Sequence, residues 1–250
     1  MPRVDQGAPT GTVDPDRELA ELRAYLGDRF DLGRLQRHAD AVVEEWHRVD
    51  DPDRFYRTSE SYLYDLTAFA MTGAKAPYHA ALRRLVPPGS RILDYGCGIG
   101  SDGLALLEDG YEVAFADFDN PSVAYLRWRL RRRGMEAAVL DLDALPPLVP
   151  FDAVFAFDVV EHAADPEGVL ARMEGLGRLV VANLLDTSDD ELELHQPMPL
   201  RRLLRRAAPG LVHHALLHDR SHLVAYRPDG GAGPLRSAWR AYRMRTARPR

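Results

Sequence analysis

From Arg91 onward the chain alternates short apolar runs with longer stretches of helical periodicity; the runs are RILDYG, YEVAFAD, EAAVLD, FDAVFAFD and GRLVVAN. Short runs of this kind, separated by helices, predict βαβ units, and a parallel sheet built from them is covered on both faces. Two later runs, LVHHALL and HLVAYRP, are separated only by the polar link HDRS. That link is too short for a parallel crossover, so the two form an antiparallel pair. The expected fold class is α/β, a mostly parallel seven-stranded sheet with the last strand antiparallel.

Upstream the period is that of a helix. Residues 17 to 48 read as a helical pair broken near Gly27 and restarted at Asp31, an N-cap residue type. A third helix is expected over Thr58–Thr72, ended by Gly73, and a fourth from about Pro77 to Leu85, before Pro87-Pro88-Gly89. The organisation expected is a disordered leader over residues 1–16, a helical N-terminal extension or lid over 17–74, a catalytic domain over 75–228 and a basic tail over 229–250. The leader lacks the apolar run of a signal peptide, and no stretch approaches a membrane span, so no membrane partner is expected.

Composition changes little in this picture. The formal charge is −6 and the pI about 5.8, which argues against a surface that attracts nucleic acid along its whole extent. Six arginines without an acid lie between Arg236 and Arg250; they read as a solvated, partly helical tail, with RNA contact as the alternative. Cys97 is the sole cysteine, which excludes an internal disulfide and suits a reducing compartment, the cytoplasm.

The first run leads straight into Asp94-x-Gly96-Cys97-Gly98-Ile99-Gly100 at a strand-to-helix turn. Glycines there let the backbone approach a ligand at a helix N-terminus. Gly98 to Gly103 also fits the GxGxxG dinucleotide fingerprint, so a nicotinamide cofactor is a competing reading. Asp117 ends the second run, where a carboxylate can accept both ribose hydroxyls of an adenosine, and this fits either cofactor. Asp94 before the glycines and Asp141 after the third run separate the two.

Together these residues resemble the class I S-adenosylmethionine (SAM)-dependent methyltransferases, which are Rossmann-like. The run Phe151 to His162, ending Asp158-Val159-Val160-Glu161-His162, resembles the fourth-strand motif of ubiquinone-biosynthesis-type small-molecule methyltransferases. The resemblance covers roughly residues 75 to 227. It implies SAM as cofactor, with Asp94 ordering the loop of Gly96, Cys97 and Gly98 around the methionine end, and Asp117 on the ribose. It further implies Phe118 packed on adenine, Asp141 at the adenine edge, Leu142 offering its amide to the ring, and the main chain near Phe157 meeting the methionine end.

Methyl transfer needs chiefly alignment, but a hydroxyl or ammonium acceptor must also lose a proton. His162, just beyond the fourth strand, is the first candidate base, and His195 the second. Asp158, Glu161 and His162 stand at i, i+3 and i+4, so a helical turn would gather them on one face. This resembles the ExxEH metal motif of some related enzymes, with His195 as a fourth ligand. Asp158 replaces the first glutamate, and no metal is expected. In relatives that carry only the EH part, the acid caps the helix and the histidine faces substrate. Trp46, Tyr56, Tyr62, Tyr64 and Tyr78 lie in or beside the lid, and His213, His214, His218 and His222 carry no assigned role.

The function read from the sequence is transfer of a methyl group from SAM to an oxygen or nitrogen of a small-molecule acceptor. A repurposed methyltransferase fold, doing a substitution, a cyclisation or a binding task, is one alternative; an RNA methyltransferase is another.

Overall fold

A computed structural model of the protein describes residues 13–49, 51–145, 149–188 and 193–248. Six helices precede the sheet: α1 (Pro15–Leu26), α2 (Leu32–Gln36), α3 (His38–Val49), α4 (Pro52–Thr58), α5 (Ser61–Met71) and α6 (Ala76–Leu85). Then follow β1 (Arg91–Tyr95), α7 (Ser101–Glu108), β2 (Glu112–Asp117), α8 (Pro121–Arg133), β3 (Val139–Asp141), β4 (Ala153–Ala156), α9 (Pro166–Leu176) and β5 (Val180–Leu185). The chain closes with α10 (Leu200–Ala207), β6 (Leu211–Leu217), β7 (Ser221–Tyr226) and α11 (Pro234–Arg245).

The seven strands lie in the order β3-β2-β1-β4-β5-β7-β6. The first five pair in parallel, and β7 runs antiparallel between β5 and β6. Successive residues feed opposite faces: Leu93, Val154 and Val180 join one core cluster, whereas Ile92, Phe155 and Val181 join the other. Burial on both faces is why these strands are unbroken apolar runs rather than alternating ones. The chain leaves β1 towards β2 and β3, then returns to β4 on its other side. The carboxyl ends of β1 and β4 therefore flank the switch point at which open α/β sheets bind ligands.

The helical extension is more finely divided than its periodicity suggests. The leader, expected to reach residue 16, is cut short by α1, because Asp14 caps the amides of Asp16 and Arg17 and Pro15 opens the helix; residues 1–12 lie outside the described residues. Gly27 (φ 55°) ends α1, and Asp31 caps α2 as expected. The helix expected over 58–72 is α5 (Ser61–Met71), and α4, which the sequence reading did not separate, precedes it. Asp51 caps α4, and extended backbone at Ser59 (φ −67°, ψ 124°) separates it from α5.

A buried polar knot fastens this layer to the sheet domain. Arg129 of α8, with no exposed surface, donates from Nε to Glu21 (2.8 Å) and pairs with Glu18, both on α1. Its Nη1 also reaches the Ile99 carbonyl and the Ser101 hydroxyl, each at 2.9 Å. At the far end the basic tail is less solvated than expected. Ala241 and Met244 of α11 are buried in the core beside Leu203 and Leu204 of α10. Among the described residues no helix is long and apolar enough to cross a membrane.

Candidate functional site

The loop after β1 is tied down from below. The amides of Gly96 and Cys97 both donate to the Ala116 carbonyl (2.8 and 3.2 Å), and Asp94, buried beneath, accepts from Gly103 (3.0 Å). Gly96 and Gly98 have φ of 70° and 51°. A Cβ at Gly96 would meet Val159 at 2.6 Å, and one at Gly98 would meet Leu66 at 2.9 Å. Side chains at either place would fill the cradle.

Above the loop opens a cavity whose wall includes Gly96, Cys97, Gly98, Asp117, Phe118, Leu142, Phe157 and His162 of the expected set. Asp94 lies behind this wall. Asp117 accepts from Gly98 and Phe118, both at 2.7 Å, and burial pushes its carboxyl up to about 6. The Arg57 guanidinium sits 4.1 Å from the centroid of the Phe118 ring and pairs with Asp143. One face of Phe118 is thereby covered from α4. The Cys97 thiol is pushed up by burial, then by Asp117 and Asp94, which makes it a packing group rather than a nucleophile.

Four expectations need correction. The Leu142 amide is committed to the Asp117 carbonyl at 3.0 Å, because the β2–β3 pairing continues one residue beyond the strand. The Asp141 carboxylate caps the Asp143 amide at 3.0 Å and does not line the cavity. Asp158, Glu161 and His162 do not share a helical face: Asp158 has φ 57° and only Val160–His162 form a 3-10 turn. Nor does Glu161 cap a helix: Asp165 caps α9, and the 160–162 turn has no side-chain cap.

Asp158 takes its conformation from β5. Its amide donates to Asn183 Oδ1 (2.7 Å), and Asn183 Nδ2 donates back to Asp158 Oδ1 (2.8 Å). A left-handed residue other than glycine at a ligand cavity is backbone strain held in place by its surroundings. Next to it, Lys75 donates to Asp102 Oδ2 and to the Phe157 carbonyl, each at 3.0 Å. Burial opposes the Lys75 charge, yet Asp102 and Asp158 hold its pKa above the ordinary lysine value. Lys75, the chain's one lysine, gave no signal in the linear pattern. Neither did Asp102, also bonded to His79 (2.7 Å), nor Asn183.

His162 is fixed from the lid side. Its Nδ1 lies 3.2 Å from the Leu194 carbonyl and 3.1 Å from the Tyr56 hydroxyl. A carbonyl only accepts, so Nδ1 carries the proton and Nε2 keeps its lone pair. Burial lowers the His162 pKa, favouring the neutral ring. His195 packs against it, ring centroids 4.9 Å apart, but does not line the cavity. Tyr56 and Tyr62 line the wall; Trp46 packs behind them on Phe55. Tyr64 is buried, donating to the Arg29 carbonyl, and Tyr78 donates to Ser221. His214 and His222 bond to each other on β6 and β7. No cluster suited to a metal ion forms among the described residues.

The fold and this acid–glycine constellation are those of the class I SAM-dependent methyltransferases. Residues 93–178 match the family described as a methyltransferase domain. The chain is 28% identical over 180 residues to a ribosomal protein L11 methyltransferase of Ralstonia pickettii, covering 68% of this chain and 57% of that one. It is 28% identical over 159 residues to a ubiquinone biosynthesis O-methyltransferase of Xylella fastidiosa, covering 53% and 64%. The chain thus spans less than two thirds of these relatives' length. An O-methyltransferase family protein from Burkholderia thailandensis shares the fold, with a TM-score of 0.56, 16% identity and coverage of 79% and 72%.

SAM is the cofactor of this class, and the residues present fit it: a cradle that Cβ atoms would fill, an acid at the end of β2 and an aromatic ring beside it. Asp117→Ala is expected to weaken binding of S-adenosylhomocysteine (SAH), the demethylated product, by about 1.5–3 kcal/mol, the worth of charge-assisted bonds to the ribose. Ribose hydroxyls favour the ionised carboxylate, so affinity for SAH should fall as pH drops through about 6. Calorimetry across that range checks both effects, and unchanged affinity in the folded variant would reduce Asp117 to a loop tether.

Proposed function

We propose that the protein transfers the methyl group of SAM to an oxygen or nitrogen atom of a small-molecule acceptor. The observation that carries this reading is one cavity lined both by the glycine cradle with Asp117 and by His162, whose burial favours the neutral ring. Bound SAM supplies a methyl group on a sulfonium, already activated for in-line displacement. The chain's own part is to hold the nucleoside end on Asp117 and the loop, exclude water with the aromatic wall of α4 and α5, and take the acceptor's proton at His162 Nε2. His195, packed on His162, supports its orientation.

On this reading residues 17–74 serve as the acceptor lid and residues 75–228 as the cofactor module. A wall of Tyr56, Tyr62 and Phe69 suits a small acceptor better than a folded protein or RNA. With Cys97 as its sole cysteine, the chain needs no oxidising compartment, and we place its work in the cytoplasm. The purified protein should bind SAH in the micromolar range and show no comparable affinity for NAD or NADP. Calorimetry decides between them; tighter binding of a nicotinamide dinucleotide would overturn the cofactor reading.

A further inference from the structure

Beyond Asp117, which the cofactor takes, the cavity carries further carboxylates. Among the described residues its wall holds Asp53, Asp102, Asp117 and Asp158 against Lys75 and Arg172. Both cations are engaged. Lys75 is hydrogen-bonded to Asp102 and the Phe157 carbonyl and ion-paired with Asp158 Oδ2 at 3.6 Å; Arg172 lies beside Tyr95.

Two carboxylate oxygens are left over. Asp158 Oδ2 and Glu161 Oε2 are buried without a hydrogen-bond partner among the described residues. Glu161 is 1% exposed, and burial, then the facing Asp158, push its carboxyl up to about 7 against the pull of His195 and Lys75. A carboxyl raised in this way takes up a proton near neutral pH unless a bound cation holds it ionised. Asn183 nevertheless holds Asp158 in a left-handed conformation at the cavity wall.

The surrounding surface is aromatic. Tyr56, Tyr62, Phe69 and Phe118 line the same cavity, and burial raises the hydroxyl pKa of both tyrosines, so they stay neutral. Neutral rings beside carboxylates attract an organic cation through the ring faces as well as through charge. An anionic acceptor would meet repulsion there, and a neutral hydroxyl would leave Asp158 Oδ2 with Lys75 at 3.6 Å alone and Glu161 Oε2 without a hydrogen bond.

We propose that the acceptor is an amine, bound as its ammonium ion between the aromatic wall and Asp158, with Glu161 supplying further negative charge from behind. This deepens, and rests on, the methyl-transfer reading. The ammonium's N–H bond breaks to His162 Nε2, and the electron pair stays on nitrogen to form the new N–C bond. The C–S electron pair leaves on sulfur, and the proton passes from His162 to water.

The test uses the full chain saturated with SAH, whose binding is measured first, so that failure of the cofactor reading shows at that stage. Benzylammonium, benzyl alcohol and benzoate, matched in size, are then titrated by calorimetry. Benzylammonium should bind about tenfold or more tighter than benzyl alcohol, in line with the coupling of close charge pairs, and benzoate should bind least. Asp158→Asn, whose side chain tolerates the left-handed backbone, and Glu161→Gln should each remove most of the ammonium preference while leaving SAH affinity within about threefold. Benzyl alcohol or benzoate binding as tightly as benzylammonium to the wild type, or no ammonium binding at all, would overturn the proposal. So would an Asp158→Asn protein that loses SAH affinity but keeps its ammonium preference, because the acids would then belong to the methionine end. The wild-type comparison stands even if a variant fails to fold.

Discussion

His162→Ala should lower turnover by about 10²-fold or more, the usual contribution of a positioned base, while affinity for SAH stays nearly unchanged. The expectation follows from the tautomer. With Nδ1–H committed to the Leu194 carbonyl and the Tyr56 hydroxyl, the imidazole offers Nε2 as its one basic atom. Burial holds its pKa below the ordinary histidine value, so the base is available at neutral pH and is lost only on acidification. The deficit of the variant should shrink at high pH, where the acceptor deprotonates unaided, whereas a positioning role would leave a pH-independent loss. Steady-state kinetics on the acceptor that the wild type methylates, paired with SAH calorimetry, separates these outcomes. Full activity of the alanine variant would remove His162 from the chemistry and turn attention to His195 and the tyrosines.

Arg129→Met should cost about 3–5 kcal/mol of stability, the effect of removing one partner from a buried ion pair. Glu18 and Glu21 are 2% and 4% exposed. Without the guanidinium, Glu18 keeps the Ser101 hydroxyl at 2.7 Å and only a distant Arg133 at 3.6 Å. Glu21 still has Arg133 at 2.8 Å, so Glu18 bears most of the loss. Adding Glu18→Gln should therefore restore a large part of the stability, since the uncompensated charge rather than the missing pair is the main penalty. Urea denaturation of the single and double variants measures this; equal stability of the two would mean that the lost charge compensation is not what matters. Because Arg129 also binds the Ile99 carbonyl, the single variant should loosen the cofactor loop.

The sheet was legible because each central strand is buried on both faces, so β1, β4 and β5 announce themselves as apolar runs whatever their partners. The glycine cradle and Asp117 were legible because loop geometry and adjacent strand ends are local matters. The helical extension was only partly so: α4 (Pro52–Thr58) is too short to show a period of its own, and it was not separated from its surroundings. The Asp158–Val159–Val160–Glu161–His162 segment misled because spacing on a helix was assumed where Asn183, 25 residues away, imposes a left-handed turn. Arg129 and Glu18 are 111 residues apart, and Lys75 and Phe157 are 82 apart. Such pairings belong to the tertiary fold, which no period along the chain encodes.

The bond pair between Asp158 and Asn183 has a consequence for how this site can change. Asn183 sits within β5, fully enclosed, so the acid is anchored to a buried strand of the sheet. The aromatic wall hangs instead on α4 and α5, short helices joined through Ser59. On the proposed amine reading, charge selection and shape selection are mounted on separate parts of the chain. Drift in residues 52–70 can resize the acceptor chamber while the electrostatic requirement persists, and a family of such proteins would diversify in substrate shape before substrate charge.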